Sequence, residues 1–411
     1  MINKQLTFID LFAGAGGFGL GFENAGFRQL YAVEIDKWAA ETHRFNFPRV
    51  PVIEQDICEI TNEEILELSN ERPDVIIGGP PCQGFSHANI VNKDPKDPRN
   101  SLFEEFIRFV DVLQPRVCII ENVPALLKTK TALGEQVIDV ITSELERMGF
   151  STSYELLDAR NFGVPQKRQR LFVIGVNKKY PKLLKESLFP SPTHNELGSG
   201  DLFNSEDMKQ EVTLWDAISD LPQRTFSDFD CNESYQCLPK NEYQELMRAN
   251  SNGLLTNAEP MRHTQRVIDR FKEIKIGQSE GNVTQDNMPK KRGNPSTISE
   301  KRYSQNSRRQ SPNSPCNSVV ASSHSNFIHP YLHRNFTVRE LLRIQSFPDR
   351  FELKGKRAVL SKKLSIKKGL LDDIYLDQRM QVGNAVPPLL SEDLARNIAV
   401  VLTERGCTNV A

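Results

Sequence analysis

The hydrophobic and polar positions of the first 180 residues alternate between short apolar runs and longer stretches with helical spacing. The apolar runs predict six strands, at Leu6–Phe12, Leu30–Glu34, Asp74–Ile77, Arg116–Ile120, Ser153–Leu157 and Leu171–Val176. The stretches between them predict helices, for example at Ser101–Leu113 and Glu135–Met148. This alternation is typical of βαβ units, so we expect an α/β fold built on a doubly wound, mostly parallel sheet.

The pattern changes between about residues 190 and 330, where Ser, Asn, Pro and Gln become frequent and the βα alternation is lost. Residues 191–250 are acidic, whereas residues 262–309 are rich in Lys and Arg. Such a basic stretch is either a solvated face or loop, or a nucleic-acid surface. Helices are predicted again at Thr337–Gln345 and Ser391–Thr403. We therefore expect a sheet-based domain formed by 1–190 plus 329–411, and a second, smaller domain at 191–328.

Composition narrows the class of protein. The chain has 411 residues, 38% of them hydrophobic, and a formal net charge of −1, values typical of a globular protein with a sizeable core. The N-terminus lacks the layout of a signal peptide, and no apolar run approaches the roughly 20 residues that span a bilayer. The seven cysteines are scattered and form no CxxC pair, so neither a disulfide framework nor a metal site is expected. These observations favour a cytoplasmic protein.

A glycine-rich turn follows the first predicted strand and precedes a helical stretch. It contains Gly14, Gly16 and Gly19, and Glu34 closes the next strand. Such a turn lets the backbone approach a nucleotide-like ligand, and the carboxylate suits the two hydroxyls of a ribose. The alternative is a tight structural turn with a solvent-facing glutamate. The spacing does not identify the cofactor, so a dehydrogenase stays open at this point.

Two further strand ends carry reactive side chains. The strand that ends at Ile77 continues into a rigid Gly-Gly-Pro-Pro loop ending in Cys82, and Glu121 follows the strand that ends at Ile120. The carboxyl ends of parallel strands meet at one edge, where open α/β sheets bind ligands, so we expect these groups to converge. A lone cysteine is usually a small buried hydrophobe, but one on a stiff loop of this kind is a candidate nucleophile.

Five ordered motifs resemble those of the cytosine-5 DNA methyltransferases. They are residues 8–17 (FIDLFAGAGG), 79–83 (GPPCQ), 121–123 (ENV), 166–170 (QKRQR) and 381–385 (QVGNA). Matching blocks cover residues 6–176 and 335–400, and the poorly matched stretch lies where that family keeps its target-recognition region. The resemblance implies a Rossmann-like class I methyltransferase fold. It makes 1–190 plus 329–411 the catalytic domain, and 191–328 a linker and target-recognition domain.

The resemblance implies S-adenosyl-L-methionine as the cofactor. The implied contacts are Phe12, Gly14, Gly16, Gly17, Glu34, Ile35, Asp56, Ile57, Pro80, Asn384 and Ala385. The first four would cradle the methionine portion, and Glu34 would bind the ribose. Asp56 would accept a hydrogen bond from the adenine amine, although without the resemblance a helix cap before Thr61–Leu68 is favoured. The chain departs from the family pattern at Ile35, where an aromatic residue that stacks on adenine is expected.

The family's chemistry accounts for the four implied catalytic residues. The Cys82 thiolate would add to carbon 6 of cytosine, which turns the ring into an enamine whose carbon 5 can attack a sulfonium methyl group. Glu121 would contact ring N3 and the exocyclic amine and so stabilise the charge that develops. Arg170 and Arg168 would lie near the base O2 and the active-site loop. The base that removes the carbon 5 proton is unassigned, and an active-site water is a candidate.

The implied substrate is double-stranded DNA, from which the target cytosine must be flipped out of the stack. We expect loop 83–100 to close over the DNA, and residues 225–328 to contact base edges and phosphates. The predicted DNA contacts are Ser86, His87, Arg99, Arg302, Arg308 and Arg309. The basic segment 354–375 looks inserted, and it is either an extension of the phosphate-binding surface or a solvated excursion.

The family resemblance also suggests a biological role. We expect a bacterial methylase of a restriction–modification system that acts as a monomer on a short specific site, without an obligatory protein partner. Three alternatives remain: an RNA cytosine methyltransferase with the same chemistry, a nicotinamide-dependent oxidoreductase, and a non-catalytic DNA-binding regulator. The second leaves the Cys82 loop unexplained, and the third has no need to keep Cys82, Glu121 and Arg170 together.

Overall fold

A computed structural model describes residues 5–81, 102–131, 134–181, 183, 187–196, 208–228, 234–235, 237–291, 294–298, 307–322, 327–359 and 362–403. The strands are β1 Thr7–Leu11, β2 Arg28–Val33, β3 Val52–Ile53, β4 Val75–Gly78, β5 Val117–Asn122, β6 Phe150–Asp158, β7 Gln166–Lys167, β8 Gln169–Asn177, β9 His194–Asn195, β10 Lys209–Gln210, β11 Lys290–Lys291, β12 Asn294–Ile298, β13 Arg308–Arg309, β14 Cys316–Asn317 and β15 Phe327–Ile328. The α-helices are α1 Gly17–Asn24, α2 Lys37–Asn46, α3 Asn62–Leu68, α4 Leu102–Leu113, α5 Val137–Arg147, α6 Leu214–Ile218, α7 Glu242–Arg248, α8 Gln265–Glu273, α9 Val338–Ile344, α10 Lys362–Lys367, α11 Gln378–Asn384 and α12 Pro388–Thr403.

Seven strands form one sheet in the order β3-β2-β1-β4-β5-β8-β6. The neighbours from β3 to β5 pair in parallel, whereas β8 runs antiparallel to both β5 and β6. The prediction of a doubly wound, mostly parallel sheet is therefore confirmed. The strand order reverses between β1 and β4, and ligands of open α/β sheets bind at the carboxyl ends of the strands at such a point.

Each central strand contributes to a hydrophobic core on both faces of the sheet. Along β1, Ile9 belongs to the first core and Phe8 to the second. Along β4, Ile76 belongs to the first core and its neighbour Ile77 to the second. Successive side chains of a strand point to opposite faces, so a strand covered on both sides is a continuous apolar run. Helices α3, α4 and α5 cover the Ile9 face, and α1 and α12 cover the Phe8 face.

A third core joins the middle of the chain to its C-terminal part. Side chains of α6 and α7 pack with those of α9 and α11, and Leu20 and Phe47 of the sheet domain belong to the same cluster. This core crosses the domain boundary predicted at residue 191. A smaller fourth core contains Phe271 of α8, Val283, Met288 and Ile328. The part of 191–328 with a core of its own therefore begins near α8.

Helix starts follow capping chemistry that the sequence carries. The Thr337 side chain accepts from the Glu340 backbone N–H, and Glu340 bonds back to the Thr337 backbone, which forms a capping box at the start of α9. Thr61 and Glu64 form the same box at the start of α3. The cap before residues 61–68 is thus Thr61 itself, not Asp56. Among the described residues, no helix has both the length and the apolar character needed to cross a membrane.

The C-terminal helix α12 belongs to the first βα unit. Its Ser391 hydroxyl donates to the Phe18 carbonyl of α1 at 2.6 Å. A Cβ atom at Gly21 would lie 2.5 Å from Ser391, so the two helices approach closely because residue 21 lacks a side chain. The strands β3 and β7 were not predicted, since two residues are too few to produce a recognisable alternation.

Candidate active site

A cavity of about 830 Å³ lies at the carboxyl ends of the central strands. Most of the predicted site residues that the structure describes line it, namely Phe12, Gly14, Gly17, Glu34, Ile35, Asp56, Ile57, Pro80, Glu121, Arg168, Arg170, Asn384 and Ala385. Of the predicted cofactor contacts, Gly16 does not line it. The volume lies within the usual range for a pocket that encloses a nucleoside-sized ligand.

The glycine turn joins β1 to α1 in a conformation that needs glycine. Gly16 has a φ of 94°, and a Cβ there would lie 2.5 Å from the Phe47 ring. A Cβ at Gly17 would lie 2.4 Å from the Val386 carbonyl oxygen, so this glycine lets the C-terminal segment approach the start of α1. The turn therefore brings residues from both ends of the chain to the cavity.

Glu34 at the end of β2 has a buried carboxylate that faces the glycine turn. Its Oε2 accepts from the Gly14 backbone N–H at 2.6 Å, and its Oε1 accepts from the Asp36 backbone N–H at 2.8 Å. Burial raises the pKa of Glu34 to about 7, although these backbone donors act in the opposite direction. The carboxylate is thus held in place by the backbone and borders a cavity where hydroxyl groups can donate to it.

Asp10 is a cavity residue that the sequence analysis did not select. Its side chain is 1% exposed, and its Oδ2 has no hydrogen-bond partner among the described residues. Burial and the nearby Glu34 raise the pKa of Asp10 well above its ordinary value. Two buried carboxyl groups therefore border the cavity near the glycine turn, which suits a ligand that carries several hydrogen-bond donors. The signal available in the sequence was the position of Asp10 inside the first motif.

Asp56 is a further carboxylate at the cavity. Its side chain accepts from the Cys58 backbone N–H at 3.0 Å and caps a short 3₁₀ helix at Ile57–Glu59. It also lines the cavity, together with Ile57. A capping role and a ligand contact are compatible, because a carboxylate has lone pairs for more than one donor.

Glu121 and Arg170 form an ion pair at the other end of the cavity. The Arg170 Nε lies 2.8 Å from the Glu121 Oε1, and the two side chains are 14% and 12% exposed. Burial raises the pKa of Glu121, although Arg170 and Arg168 act against this. A carboxyl group that retains its proton to higher pH can donate to a ring nitrogen, so this residue can serve as a proton donor to a heterocycle.

Arg168 joins two distant backbone segments to its own, through three carbonyl groups. Its guanidinium donates to the Val319 carbonyl at 2.9 Å, to the Gly383 carbonyl at 2.9 Å and to the Ala385 carbonyl at 3.1 Å. The side chain is 1% exposed, and burial lowers its pKa to about 9. These contacts fit a residue that positions the Asn384 segment on the sheet better than one that contacts substrate directly.

The base of the cysteine loop is attached to the end of β5. The Asn122 side chain donates to the Pro80 carbonyl at 3.0 Å, and Pro81 lines the cavity. This contact fixes the Pro80 backbone next to β5, the strand that carries Glu121. Five predicted site residues lie outside the described residues: Cys82, Ser86, His87, Arg99 and Arg302.

The prediction that Arg309 contacts DNA is wrong. Its side chain is 4% exposed, and its guanidinium donates to the carbonyls of Ile274, His329 and Phe271, each at 2.6 Å. These bonds tie α8 to the segment after β15, so the charge satisfies buried carbonyls rather than phosphates. Arg308 is half-buried beside it, and its DNA contact stays a prediction.

Comparisons with known proteins agree with this geometry. The sequence profile of the C-5 cytosine-specific DNA methylases matches residues 6–400. The type II methyltransferase M.DdeI of Desulfomicrobium norvegicum is 43% identical over 395 residues, which cover 96% of this chain and 88% of that protein. The type II methyltransferase M1.HphI of Haemophilus parahaemolyticus is 34% identical over 396 residues, which cover 96% of this chain and 87% of that protein.

A solved structure with a similar fold is assigned as a DNA modification methyltransferase encoded within a prophage of E. coli. It has a TM-score of 0.71 and 26% sequence identity, and the match covers 97% of this chain and 100% of that chain. The family profile spans the glycine turn, the Glu121–Arg170 pair and the C-terminal segment that closes the cavity. The chain therefore belongs to the C-5 cytosine-specific DNA methylases and is a DNA cytosine-5 methyltransferase.

Proposed function

We propose that the cavity binds S-adenosyl-L-methionine beside the glycine turn and a flipped cytosine beside Glu121 and Arg170. The observation that carries this proposal is the convergence of two different polar sites on one cavity, a buried carboxylate at Glu34 and an ion pair at Glu121. The first suits a ribose and the second suits a polar heterocycle. When bound, S-adenosylmethionine supplies an electrophilic methyl group on a sulfonium sulfur.

The chain's own residues prepare the cytosine for methylation. The Cys82 thiolate forms a bond to carbon 6, and the electron pair of the ring moves toward carbon 5, which becomes nucleophilic. Glu121 donates to ring N3 and stabilises the charge that builds up there, and Arg170 holds Glu121 in place. After carbon 5 is methylated, a base removes its proton and the bond between sulfur and carbon 6 breaks. The double bond of the ring is restored, and Cys82 is free again.

Residues 191–328 are the proposed source of base-edge contacts in the major groove. The fourth core, around Phe271 and Ile328, supports a small folded unit there. Ser86, His87 and Arg99 on the loop after Cys82, together with Arg302 and Arg308, are the proposed DNA contacts. A monomer suffices, because each strand of a palindromic site can be methylated in a separate visit. We further propose that the enzyme protects host DNA within a restriction–modification system.

Transfer of labelled methyl groups tests the proposed function. Purified protein is incubated with tritiated S-adenosylmethionine and either unmethylated plasmid or transfer RNA, and the product is digested to nucleosides. We expect label in 5-methylcytosine from the plasmid and none from the RNA. Label in RNA alone would move the function to an RNA methyltransferase, and absence of label with retained cofactor binding would favour a regulator. Mapping of the modified cytosines then identifies the recognised site.

Cofactor binding is expected to weaken as the pH falls below 7. Burial raises the pKa of Glu34 to about 7, so below this value the carboxyl is protonated and loses the charge that accepts the ribose hydroxyls. The affinity for S-adenosylhomocysteine is expected to fall about tenfold in total between pH 8 and pH 6, in step with the ionised fraction of Glu34. Calorimetric titrations at pH 6, 7 and 8 measure the effect.

The Glu34→Gln variant is the control for this titration. Because an amide does not ionise in this range, its affinity is expected to be lower and to vary little between pH 6 and pH 8. A wild-type affinity that is equally flat over the same range would contradict the assignment of the ribose contact to Glu34.

A further inference from the structure

The segment 354–376 packs against α2, the helix that follows Glu34. Gly355 has a φ of 80°, and a Cβ there would lie 2.6 Å from the Trp38 indole, so the backbone itself covers this ring. At the other end of the segment, the Tyr375 ring lies 5.8 Å from the Trp38 ring. Both ends of the segment therefore pack against α2 at Trp38.

Hydrogen bonds fix Leu376, the last residue of this segment, relative to Glu34. The Leu376 backbone N–H donates to the Asp36 Oδ2 at 2.8 Å, and the Asp36 backbone N–H donates to the Glu34 Oε1 at 2.8 Å. The Leu376 carbonyl accepts from the Gln381 side chain at 2.9 Å. The backbone N–H and the carbonyl of Leu376 thus both form hydrogen bonds. Asp36 binds Leu376 through its side chain and Glu34 through its backbone N–H, so it links the positions of these two residues.

Leu376 and Ile35 both line the cavity that Glu34 also lines. Ile35 is 62% exposed, although it is a branched aliphatic residue beside a buried carboxylate. Asp56 and Ile57 line the cavity too, and they supply a polar edge and an apolar wall. If Glu34 holds the ribose, the ring attached to that ribose must lie next to one of these walls. Aliphatic side chains pack well on the apolar face of a planar ring.

The lysines at the start of the segment are engaged within the protein. Lys354 pairs with Glu352 and lies 3.4 Å from the centroid of the Phe45 ring. Lys356 pairs with Asp373. These contacts hold the start of the segment against the protein. Lys367 and Lys368, further along the segment, are exposed, so a phosphate-binding role for them stays a prediction.

We propose that the segment 354–376 is part of the cofactor site, where Leu376 and Ile35 form an aliphatic contact with the adenine ring. This inference rests on the proposed binding of S-adenosylmethionine to the same cavity. It explains how the site can do without the aromatic residue expected at position 35. The segment is then a wall of the pocket, and its backbone bonds to Asp36 and Gln381 determine where that wall stands.

Ligand titration of the full-length Leu376→Ala protein tests the proposal. We expect the Kd for S-adenosylhomocysteine, measured by calorimetry, to rise at least about tenfold, since the apolar wall of a pocket loses several carbons. The Kd for adenosine should rise by the same factor, because the lost contact is with the purine. Leu376→Met keeps a flexible apolar side chain and should restore most of the affinity of both ligands.

Leu371→Ala is the matched control, because Leu371 belongs to the same segment and is 63% exposed. Its Kd for both ligands should stay within about twofold of wild type. A Kd within twofold of wild type for Leu376→Ala as well would overturn the inference and leave the proposed function intact. Wild-type protein that binds neither ligand would overturn both. A loss seen with S-adenosylhomocysteine but not with adenosine would also contradict a purine contact.

Discussion

Replacing Cys82 by serine is expected to abolish methyl transfer, reducing the rate at least about 10³-fold. A serine hydroxyl is far less acidic than a thiol, so the attacking anion is scarcely populated near neutral pH and addition to carbon 6 fails. Pro80 and Pro81, the two residues before Cys82, line the same cavity as Glu121, and Asn122 holds the Pro80 carbonyl. Tritium transfer to plasmid DNA under saturating cofactor measures the loss.

A covalent trap distinguishes a missing nucleophile from a damaged cofactor site. In DNA that contains 5-fluorocytosine, carbon 5 has no proton to lose, so the enzyme stays attached through its cysteine after one methyl transfer. Wild type and Cys237→Ser, which removes an exposed cysteine, should form a complex that resists denaturing electrophoresis. Cys82→Ser should form none while still binding S-adenosylhomocysteine. A stable complex with Cys82→Ser would reject this residue as the nucleophile.

Arg343→Met is expected to lower the free energy of unfolding by about 3–5 kcal/mol, because it leaves buried carboxylates with too few counter-charges. Arg343 is fully buried in α9 and donates to both oxygens of Asp349 at 2.6 Å and to those of Asp220 at 3.1 Å. Burial would raise the pKa of Asp349, but hydrogen bonds and the charge of Arg343 hold it below its ordinary value. Denaturant unfolding followed by circular dichroism measures the change.

Arg147→Met is the matched control for this substitution. Arg147 also bonds to a carboxylate, that of Glu144, but its side chain is 72% exposed. Exposed pairs contribute little because water solvates both charges, so the unfolding midpoint should stay within experimental error of wild type.

The effect of Arg343→Met is also expected to depend on pH. A carboxyl with a lowered pKa, such as that of Asp349, stabilises the fold above its unfolded pKa of about 4, and this contribution is lost as the pH falls. The gap between wild type and Arg343→Met should therefore narrow below pH 4.

The sheet and its ligand edge were predictable because they rest on local patterns. The apolar runs of β1 and β4 are long enough to indicate buried strands, and the glycine turn and Glu121 stand directly at strand ends. Strand ends of a parallel sheet share an edge whatever the details of packing. The positions of Glu34 and Glu121 on one cavity therefore followed from the topology alone.

Roles that depend on distant partners were not predictable. Arg309 lies in a run of basic residues that suggests a DNA surface. Its guanidinium instead donates hydrogen bonds to backbone carbonyls, one of them 38 positions away in the chain. Arg168 belongs to a catalytic motif, yet its hydrogen bonds go to segments more than 150 residues later. The sequence pattern does not distinguish an arginine that faces solvent from one whose guanidinium donates to buried backbone carbonyls, since both occur beside polar neighbours.

The packing of the last helices onto the first βα unit has a consequence for biosynthesis. The cavity is closed by Gly383 to Val386, and α12 covers a face of the sheet that β1 helps to form. Both segments leave the ribosome after nearly all of the other residues named here. A nascent chain can therefore already carry Cys82 and Glu121 and still lack the segment that closes the cavity. Translation products that end before α11 are accordingly expected to lack methyltransferase activity.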